Sequence, residues 1–440
     1  PDYFWSGARL DIAPDAVQLE IIQDILAKLP LDNPLASKFA GSYTALSDVQ
    51  QALRLSKEAG LTPDKLGAML AVNQAYIDLI EPQLIEALEG TLSQKRLGNL
   101  EQAIAQLPDQ PIDEAVTPLT SLSTVLKDGL KQAIAEDEST GKTTQTGKWK
   151  RRWLQAVNGQ KGLFDERRRN DWWLAVADVY ASYRDTLHSH GYYDYSDMII
   201  EVITQLEQNP DLLAGVQERF LYVLIDEFQD TNAAQLRLAH LVATHYSSEG
   251  KPNLMAVGDD DQSIFAFNGA ELNNMLSFRR TYNDTKVIVL EENYRSTQAL
   301  LDVSASIIEQ ANDRLVKRET DLVKKLHAAK SPAPGQIRHL TYPTEEHQLS
   351  AIAKRVKEQW LEDESQAIAV LARNHSSLRQ LSSLLSGLQV PISYEQQNNV
   401  LDNVVVVQVC LLAETVDALG KGDRVAANHY LSKLVQHPAW

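Results

Sequence analysis

The sequence predicts an α/β fold, in which part of a parallel sheet accompanies a large helical region. Two apolar runs at 221–225 and 254–257 indicate buried strands, because neither alternates with polar residues and each ends at acidic residues. Between them, residues 233–242 carry apolar side chains at helical spacing. This order of strand, helix and strand is typical of a βαβ unit, whose two strands run parallel and end at the same edge.

The length of the chain predicts more than one domain. Its 440 residues exceed one ordinary hydrophobic core, so two or three domains are expected. We assign a helical domain to residues 1–190, an α/β domain to 191–295 and the beginning of a second α/β domain to 296–440. A Pro- and Gly-containing break at 331–335 precedes the strand-like segments 337–342 and 367–371 of the last part.

The first 190 residues read as amphipathic helices. Apolar residues recur at helical spacing in 17–29, 46–55, 66–80, 84–107 and 126–134. This pattern indicates no catalytic or binding site, so we expect the helices to form a packed scaffold.

Composition excludes several classes of protein. No apolar stretch is long enough to span a bilayer, and the N-terminus lacks a basic region followed by an apolar segment, so we expect a cytoplasmic protein without membrane partners. Cys410 is the only cysteine, which rules out an internal disulfide and a cysteine-based zinc site. The net charge of −17 leaves DNA binding open, because DNA binding requires only a local basic track.

One segment imitates a phosphate-binding loop. Gly141-Lys-Thr matches the end of that motif, but Glu136 occupies the position of the earlier glycine, and an amphipathic helix replaces the required strand. We interpret this segment as a loop after that helix, followed by a polar, Thr-rich linker.

Asp226 and Glu227 follow the first apolar run, where open α/β sheets place their ligand sites. Adjacent carboxylates at a strand end suit phosphoryl chemistry, because one can hold Mg²⁺ while the other orients or deprotonates the attacking water. The alternative is a solvated acidic strand end.

Three short sequence segments, the first of which contains these acids, indicate the kind of site. Asp226-Glu-Phe-Gln-Asp-Thr, Gly258-Asp-x-x-Gln-Ser-Ile-Phe and Leu290-Glu-Glu-Asn-Tyr-Arg-Ser resemble, in order and spacing, three motifs of the superfamily 1 UvrD/Rep DNA helicases. The resemblance implies a partial RecA-like parallel sheet of the P-loop NTPase type, a large inserted α-helical domain and the start of a second RecA-like domain. It also implies ATP-dependent, 3′→5′ translocation on single-stranded DNA and duplex unwinding, with ATP and Mg²⁺ as cofactors.

The resemblance assigns roles around the nucleotide. Asp226 would bind Mg²⁺, and Glu227 would position or activate the water that attacks the γ-phosphate. Gln262 would sense the γ-phosphate, Arg295 would contact it like an arginine finger, and Tyr294 would stack on the adenine.

Two regions are candidates for contact with single-stranded DNA and with its junctions with duplex. The resemblance implies that Phe265 and Phe267 stack on bases near Asn268, although family members commonly have Arg at that last position; the alternative is a pair of core phenylalanines. The second region is the basic stretch 148–173, where arginines alternate with tryptophans that can contact phosphates and bases or can pack inward. Its candidate DNA contacts are Arg151, Arg152, Arg167 and Arg168.

A complete motor also needs a phosphate-binding loop, which residues 1–220 do not supply, and later motifs. The resemblance therefore implies an internal segment of a longer helicase, and we expect this chain alone to be inactive. The alternatives are the helicase subunit of a recombination helicase–nuclease and a catalytically inactive, helicase-like protein that binds DNA or a partner.

Overall fold

Packing divides the chain into two units, Pro1–Gly335 and Gln336–Trp440. The computed structural model describes residues 10–39, 41–111, 121–245, 251–263, 278–279, 281–282, 284–311, 314–318, 323–329, 337–394 and 404–435. The division coincides with the break predicted at 331–335, which lies outside the described residues. The finer boundaries at 190 and 295 stay predictions.

Helices form most of the described structure, and each helical pattern of the first 190 residues corresponds to one or two of them. Within the described residues, no helix is both long and apolar enough to cross a lipid bilayer. The helices are α1 (Asp15–Ala27), α2 (Leu46–Glu58), α3 (Pro63–Ala87), α4 (Gln94–Ala105), α5 (Leu122–Thr140), α6 (Thr144–Trp153), α7 (Phe164–Ser189), α8 (Tyr195–Gln208), α9 (Pro210–Arg219), α10 (Ala233–Ala243), α11 (Gln298–Ile308), α12 (Leu315–Arg318), α13 (Glu345–Glu362), α14 (His375–Gly387), α15 (Val404–Gly420) and α16 (Arg424–Val435).

The described strands are short and form two-stranded ladders. The strands are β1 (Asp11–Ile12), β2 (Lys38–Phe39), β3 (Ser42–Tyr43), β4 (Gln155–Val157), β5 (Gln160–Gly162), β6 (Tyr192–Tyr193), β7 (Val223–Ile225), β8 (Leu254–Ala256), β9 (Glu292–Asn293) and β10 (His327–Ala328). The pairs β1–β6, β7–β8 and β9–β10 are parallel, whereas β2–β3 and β4–β5 are antiparallel hairpins.

The βαβ unit forms as predicted, but the burial of its first strand does not. β7 and β8 pair in parallel and α10 packs against both. However, Leu224 on β7 is 71% exposed and Met255 on β8 is 55% exposed, so the prediction of a strand buried on both faces is wrong. Within the described residues, α10 covers one face of this two-stranded ladder and no second layer covers the other. A third apolar run, 287–290, also predicts a strand, but this prediction is wrong because β9 begins later, at Glu292.

The helices before α8 enclose two separate hydrophobic cores. One core collects apolar residues of α1, α2, the first half of α3 and the second half of α7. The other collects residues of the second half of α3, of α4, α5 and α6, and includes Trp149 and Trp153. α3 contributes to both cores, because its 25 residues give it a length of about 37 Å.

A buried charge cluster fixes α2 to α8. The Lys57 side chain is 2% exposed, and its ammonium group forms ion pairs with Asp194 and, at 2.7 Å, with Asp197. These carboxylates also form the capping box of α8, in which each accepts a hydrogen bond from the other residue's backbone N–H. The rings of Tyr180 and Tyr183 lie 5.5 and 4.9 Å from the ammonium nitrogen and close the cluster.

The segment that imitates a phosphate-binding loop is a turn between α5 and α6. Gly141 has φ +67° at the C-cap of α5, a left-handed conformation that favours glycine. The buried Asp137 carboxylate accepts hydrogen bonds from the N–H groups of Gln145 (2.9 Å) and Thr146 (2.8 Å), at the start of α6. The predicted Thr-rich linker is therefore wrong, because α6 begins at Thr144 and Asp137 caps it.

We expect the Asp137 cap to make stability depend on pH. Burial alone would raise the pKa of Asp137, but the hydrogen bonds from Gln145 and Thr146 outweigh it and leave the pKa below its usual value. The stabilisation is therefore present above the unfolded-state pKa of about 3.9 and is lost as the pH falls through the lower folded-state pKa.

Asp137→Asn should lower the free energy of unfolding by about 1 kcal/mol at pH 7, because Asn keeps one acceptor of the two. Urea unfolding at pH 7 and pH 3 measures the difference, which should shrink at the lower pH. Asp128→Asn, on the exposed face of the same helix, is the control. An equal difference at both pH values would contradict the charged cap.

In the second unit, α13 and α14 pack around a small core of Leu349, Ala353, Val356, Leu381 and Leu385. The predicted strands at 337–342 and 367–371 are wrong, because no ladder of backbone hydrogen bonds forms there within the described residues.

Candidate active site

Backbone pairing brings the ends of β7 and β8 together. Beyond the ladder, the N–H of Val257 donates to the carbonyl of Ile225 at 2.8 Å, and the N–H of Phe228 donates to the carbonyl of Val257 at 2.9 Å. Asp226 and Glu227 therefore project from the sheet edge where Asp259 also leaves β8. This is the arrangement predicted from the two acidic strand ends.

Glu227 has an unusual backbone conformation. Its φ of +48° and ψ of +45° lie in the left-handed region, which non-glycine residues seldom adopt. The Asp226 Oδ1 accepts the N–H of Glu227 at 3.0 Å, and a 3₁₀ turn over Phe228–Asp230 follows. Such a conformation costs of order 1–3 kcal/mol, and the Glu227 side chain is exposed.

A buried glutamine, for which the sequence motifs predict no role, holds this turn. Gln229 is 2% exposed, and its Nε2 donates to the Glu227 Oε2 at 2.6 Å while its Oε1 accepts the N–H of Asp259 at 2.9 Å. Gly258 makes this possible, because a Cβ there would lie 2.6 Å from the Gln229 Oε1. The glycine after the second strand was the signal in the sequence, although nothing local indicated its partner.

Gln262 belongs to the same network. It ends a 3₁₀ turn over Asp260–Gln262, and its Nε2 donates to the Asp259 Oδ2 at 2.8 Å. The Asp259 Oδ1 accepts the N–H of Asp261 and so caps the turn. The structure thus connects the predicted Glu227 and Gln262 through Gln229 and Asp259.

Three consecutive aspartates, Asp259 to Asp261, lie close enough together to hold a cation. Cationic side chains of the protein already contact these carboxylates. The Lys324 ammonium contacts all three, and Arg314 binds Asp261 through two hydrogen bonds of 2.7 and 2.8 Å. Burial alone would lower the pKa of Lys324, but its hydrogen bonds to the carboxylates raise it. This cluster is therefore an ion-pair network and not a metal site in this state.

Tyr294 and Arg295 follow β9 on an exposed turn. The Asn293 Oδ1 accepts the backbone N–H groups of Arg295 at 3.0 Å and Ser296 at 2.7 Å, which fixes the turn. Both predicted side chains are exposed, and the Tyr294 hydroxyl donates to Glu292, which raises its pKa. The Arg295 guanidinium forms no hydrogen bond or ion pair with another described residue.

Two tryptophans of the basic stretch pack inward. Trp149 and Trp153 are 7% and 1% exposed, and the Trp149 Nε1 donates to the carbonyl of Leu126 at 3.2 Å. Stacking of these two indoles on bases is therefore excluded in this conformation, and the inward-packing alternative holds for them. Arg151 and Arg152 are exposed, and the Arg152 guanidinium lies 5.4 Å from the centroid of the Trp153 ring.

The second group of arginines has protein partners. Arg167 binds Asp78 at 2.5 Å and Glu81 at 2.6 Å, and these hydrogen bonds raise its pKa. Arg168 pairs with Asp165 at 2.8 Å but remains 81% exposed. Contact of Arg167 with a phosphate would thus compete with two carboxylates, whereas Arg168 is accessible. The predicted stacking residues Phe265 and Phe267, with Asn268, lie outside the described residues.

Comparisons with known proteins agree with the resemblance. The model of the UvrD/REP helicase N-terminal domain matches residues 46–283, and that of the UvrD-like helicase C-terminal domain matches residues 288–407. Fold and site define an α/β protein with a carboxylate site at the edge of a parallel strand pair. The chain belongs to the UvrD/Rep helicase family, as predicted.

Curated relatives match over about a third of the chain. The ATP-dependent DNA helicase PcrA of Leuconostoc citreum is 40% identical over 143 residues, which is 32% of this chain and 18% of the relative. The ATP-dependent DNA helicase UvrD1 of Mycobacterium bovis is 42% identical over 146 residues, 33% of this chain and 19% of the relative. PcrA of Staphylococcus aureus is 39% identical over 142 residues, 32% of this chain and 19% of the relative. The matched part thus spans less than a fifth of these relatives.

Proposed function

We propose that this chain is part of an ATP-dependent DNA helicase that couples hydrolysis of Mg·ATP to 3′→5′ movement on single-stranded DNA and to unwinding at junctions with duplex. The observation that carries the proposal is the hydrogen-bonded connection from Glu227 through Gln229 and Asp259 to Gln262. The candidates for orienting water and for sensing phosphate both belong to this network, and the network lies within the region that matches the family.

Glu227 acts on the attacking water. Its carboxylate is exposed at the sheet edge, and the Gln229 amide donates to Oε2, so Oε1 is the oxygen available to accept a hydrogen bond from water. A carboxylate held in this way can orient the water and accept its proton. Gln262 offers an amide near the same edge that can donate to a phosphate oxygen.

Asp226 fits a magnesium ion. Its carboxylate is exposed, and its Oδ1 accepts the N–H of Glu227; among the described residues Oδ2 accepts no hydrogen bond. Carboxylate oxygen is a ligand that Mg²⁺ prefers. When bound, the ion would neutralise charge on the β- and γ-phosphates.

Arg295 and Tyr294 supply the remaining nucleotide contacts. The exposed guanidinium of Arg295 presents a planar fork of donors suited to a phosphate. Tyr294 is 65% exposed and offers a ring face to a base. A cytoplasmic location, as for DNA repair enzymes of this family, is part of the proposal.

DNA would follow the basic face of α6 and the start of α7. We assign phosphate contacts to Arg151, Arg152, Arg167 and Arg168, and expect the exposed pair on α6 to contribute more than Arg167, which is held by carboxylates. Phe265, Phe267 and Asn268 would meet the bases.

Arg151→Ala with Arg152→Ala should reduce the salt dependence of single-stranded DNA binding. Loss of two phosphate contacts lowers the slope of log K against log salt by about 1.4, since each contact contributes about 0.7. Lys28→Ala with Lys131→Ala removes the same charge from the residue that follows α1 and from α5, and is the matched control. An unchanged slope in the arginine variant would show that these arginines form a solvated face and do not contact phosphates.

ATP hydrolysis with and without single-stranded DNA tests the proposed function. The expected result is ATP turnover that rises with DNA, in the helicase of which this chain is proposed to be a part. DNA binding without any hydrolysis would contradict the proposal and support the catalytically inactive alternative.

A further inference from the structure

The Gln229 side chain bridges two loops of the candidate active site. It leaves the loop after β7, yet its two amide ends contact Glu227 in that loop and the backbone of Asp259 in the loop after β8. We propose that Gln229 is a positioning residue, which couples the orientation of Glu227 to the turn that carries Gln262. This inference rests on the proposed function, because it assigns Glu227 to hydrolysis.

The chemistry of the bridge requires an amide. One end must donate to a carboxylate and the other must accept from a backbone N–H, and only Asn and Gln carry both groups in the required planar arrangement. Gln229 is almost completely buried, so neither end can exchange its partner for solvent water without moving the loop. A buried donor or acceptor that loses its partner has no water to replace it, which keeps both hydrogen bonds closed.

The Gln229 bridge restrains the exposed side chain of Glu227. Glu227 is exposed, so its carboxylate would sample several rotamers if nothing held it. Its backbone is already committed to a left-handed conformation by the hydrogen bond to the Asp226 side chain. The Gln229 amide therefore fixes the remaining freedom, which is the direction of the carboxylate.

The other end of the bridge reaches the remaining predicted nucleotide contacts. Asp259 accepts from Gln262 and also pairs with Lys324, three residues before β10. β10 pairs with β9, and the turn with Arg295 follows β9 directly. A movement of the Gln262 turn is therefore transmitted to Glu227 through Gln229, because the network is continuous.

Gly258 provides a second way to break the bridge. A Cβ at this position would lie 2.6 Å from the Gln229 Oε1 and 3.2 Å from its backbone nitrogen. Gly258→Ala would displace the amide without changing its chemistry. The same functional loss in Gly258→Ala and in a Gln229 variant would therefore arise from the bridge and not from the new side chain.

Three substitutions separate the two ends of the bridge. Gln229→Glu keeps an acceptor for the Asp259 N–H but faces Glu227 with a second carboxylate, whereas Gln229→Met loses both hydrogen bonds at similar volume. Gly258→Ala displaces the amide. Gln235→Glu makes the same charge change in the exposed capping box of α10 and is the control.

Two measurements on the full protein decide the proposal. Hydrogen exchange of the Asp259 amide should accelerate about fivefold or more in Gln229→Met and remain slow in Gln229→Glu. DNA-stimulated kcat should fall about 10- to 100-fold in all three variants, with KM for ATP within twofold of the wild-type value, because only the orientation of Glu227 is lost.

Wild-type kcat in Gln229→Glu, or unchanged exchange of the Asp259 amide in Gln229→Met, would overturn the positioning role. A fall in kcat matched by Gln235→Glu would also overturn it, because a general charge effect would then suffice. If the wild-type protein shows no DNA-stimulated hydrolysis, the proposed function fails, whereas the exchange measurement still decides whether Gln229 bridges the two loops.

Discussion

Glu227→Gln should lower the DNA-stimulated kcat for ATP hydrolysis by about 10²- to 10⁴-fold, the usual contribution of a general base. The amide has nearly the same shape as the carboxylate and can still accept from the Gln229 Nε2, so the turn at the end of β7 should persist. It cannot accept a proton from water at neutral pH. KM for ATP and the affinity for single-stranded DNA should change little, because binding does not require the negative charge.

Steady-state hydrolysis with saturating single-stranded DNA measures this loss. Glu218→Gln, on the exposed end of α9, makes the same substitution outside the site and should leave kcat unchanged. Hydrolysis in Glu227→Gln at the wild-type rate would show that another residue activates the water. DNA binding that is independent of ATP and identical in the variant would favour the catalytically inactive alternative.

Lys57→Met should lower the free energy of unfolding by about 3–5 kcal/mol, the largest effect on stability that we expect. The methionine fills a similar volume, but Asp194 and Asp197 would then face each other in the interior without a cation. Burial already raises the pKa of Asp197 although the Lys57 charge opposes this. Without Lys57, at least one carboxyl would need to bind a proton or move to solvent, which would detach α8 from α2.

Chemical denaturation measures this difference. Lys65→Met is the matched control, because Lys65 pairs with Glu207 at 3.2 Å with about a third of its side chain exposed, and such pairs contribute about 0–1 kcal/mol. Adding Asp194→Asn and Asp197→Asn to Lys57→Met should restore part of the lost stability, because no unpaired charge then remains buried. A loss below about 1 kcal/mol in Lys57→Met would contradict the role of the cluster.

Local sequence patterns were sufficient to predict several of the helices. The apolar stripe at 17–29 predicted α1, and the apolar residues between the two strands predicted α10, because helical spacing places them on one face whatever they pack against. The same applies to the turn at Gly141, where a helix before the glycine excluded a phosphate-binding loop from the sequence alone.

Strands were predicted less well for a physical reason. A strand exists only when a neighbour accepts its backbone hydrogen bonds, and its burial depends on what covers its two faces. The apolar run at 221–225 therefore gave the position and direction of β7 but not its length or exposure. At 367–371 the same kind of run forms no ladder within the described residues.

The sequence by itself determined the family, the pair of acids at the strand end and the candidates Gln262 and Arg295, since these follow from short motifs whose residues are close in the chain. The tertiary structure alone decided which side chains contact each other. It joined Gln229 to the backbone of Asp259, 30 residues further along the chain, and Arg167 to Asp78 and Glu81, more than 80 residues before it. Such contacts depend on how distant segments pack, and periodicity and spacing carry no information about that.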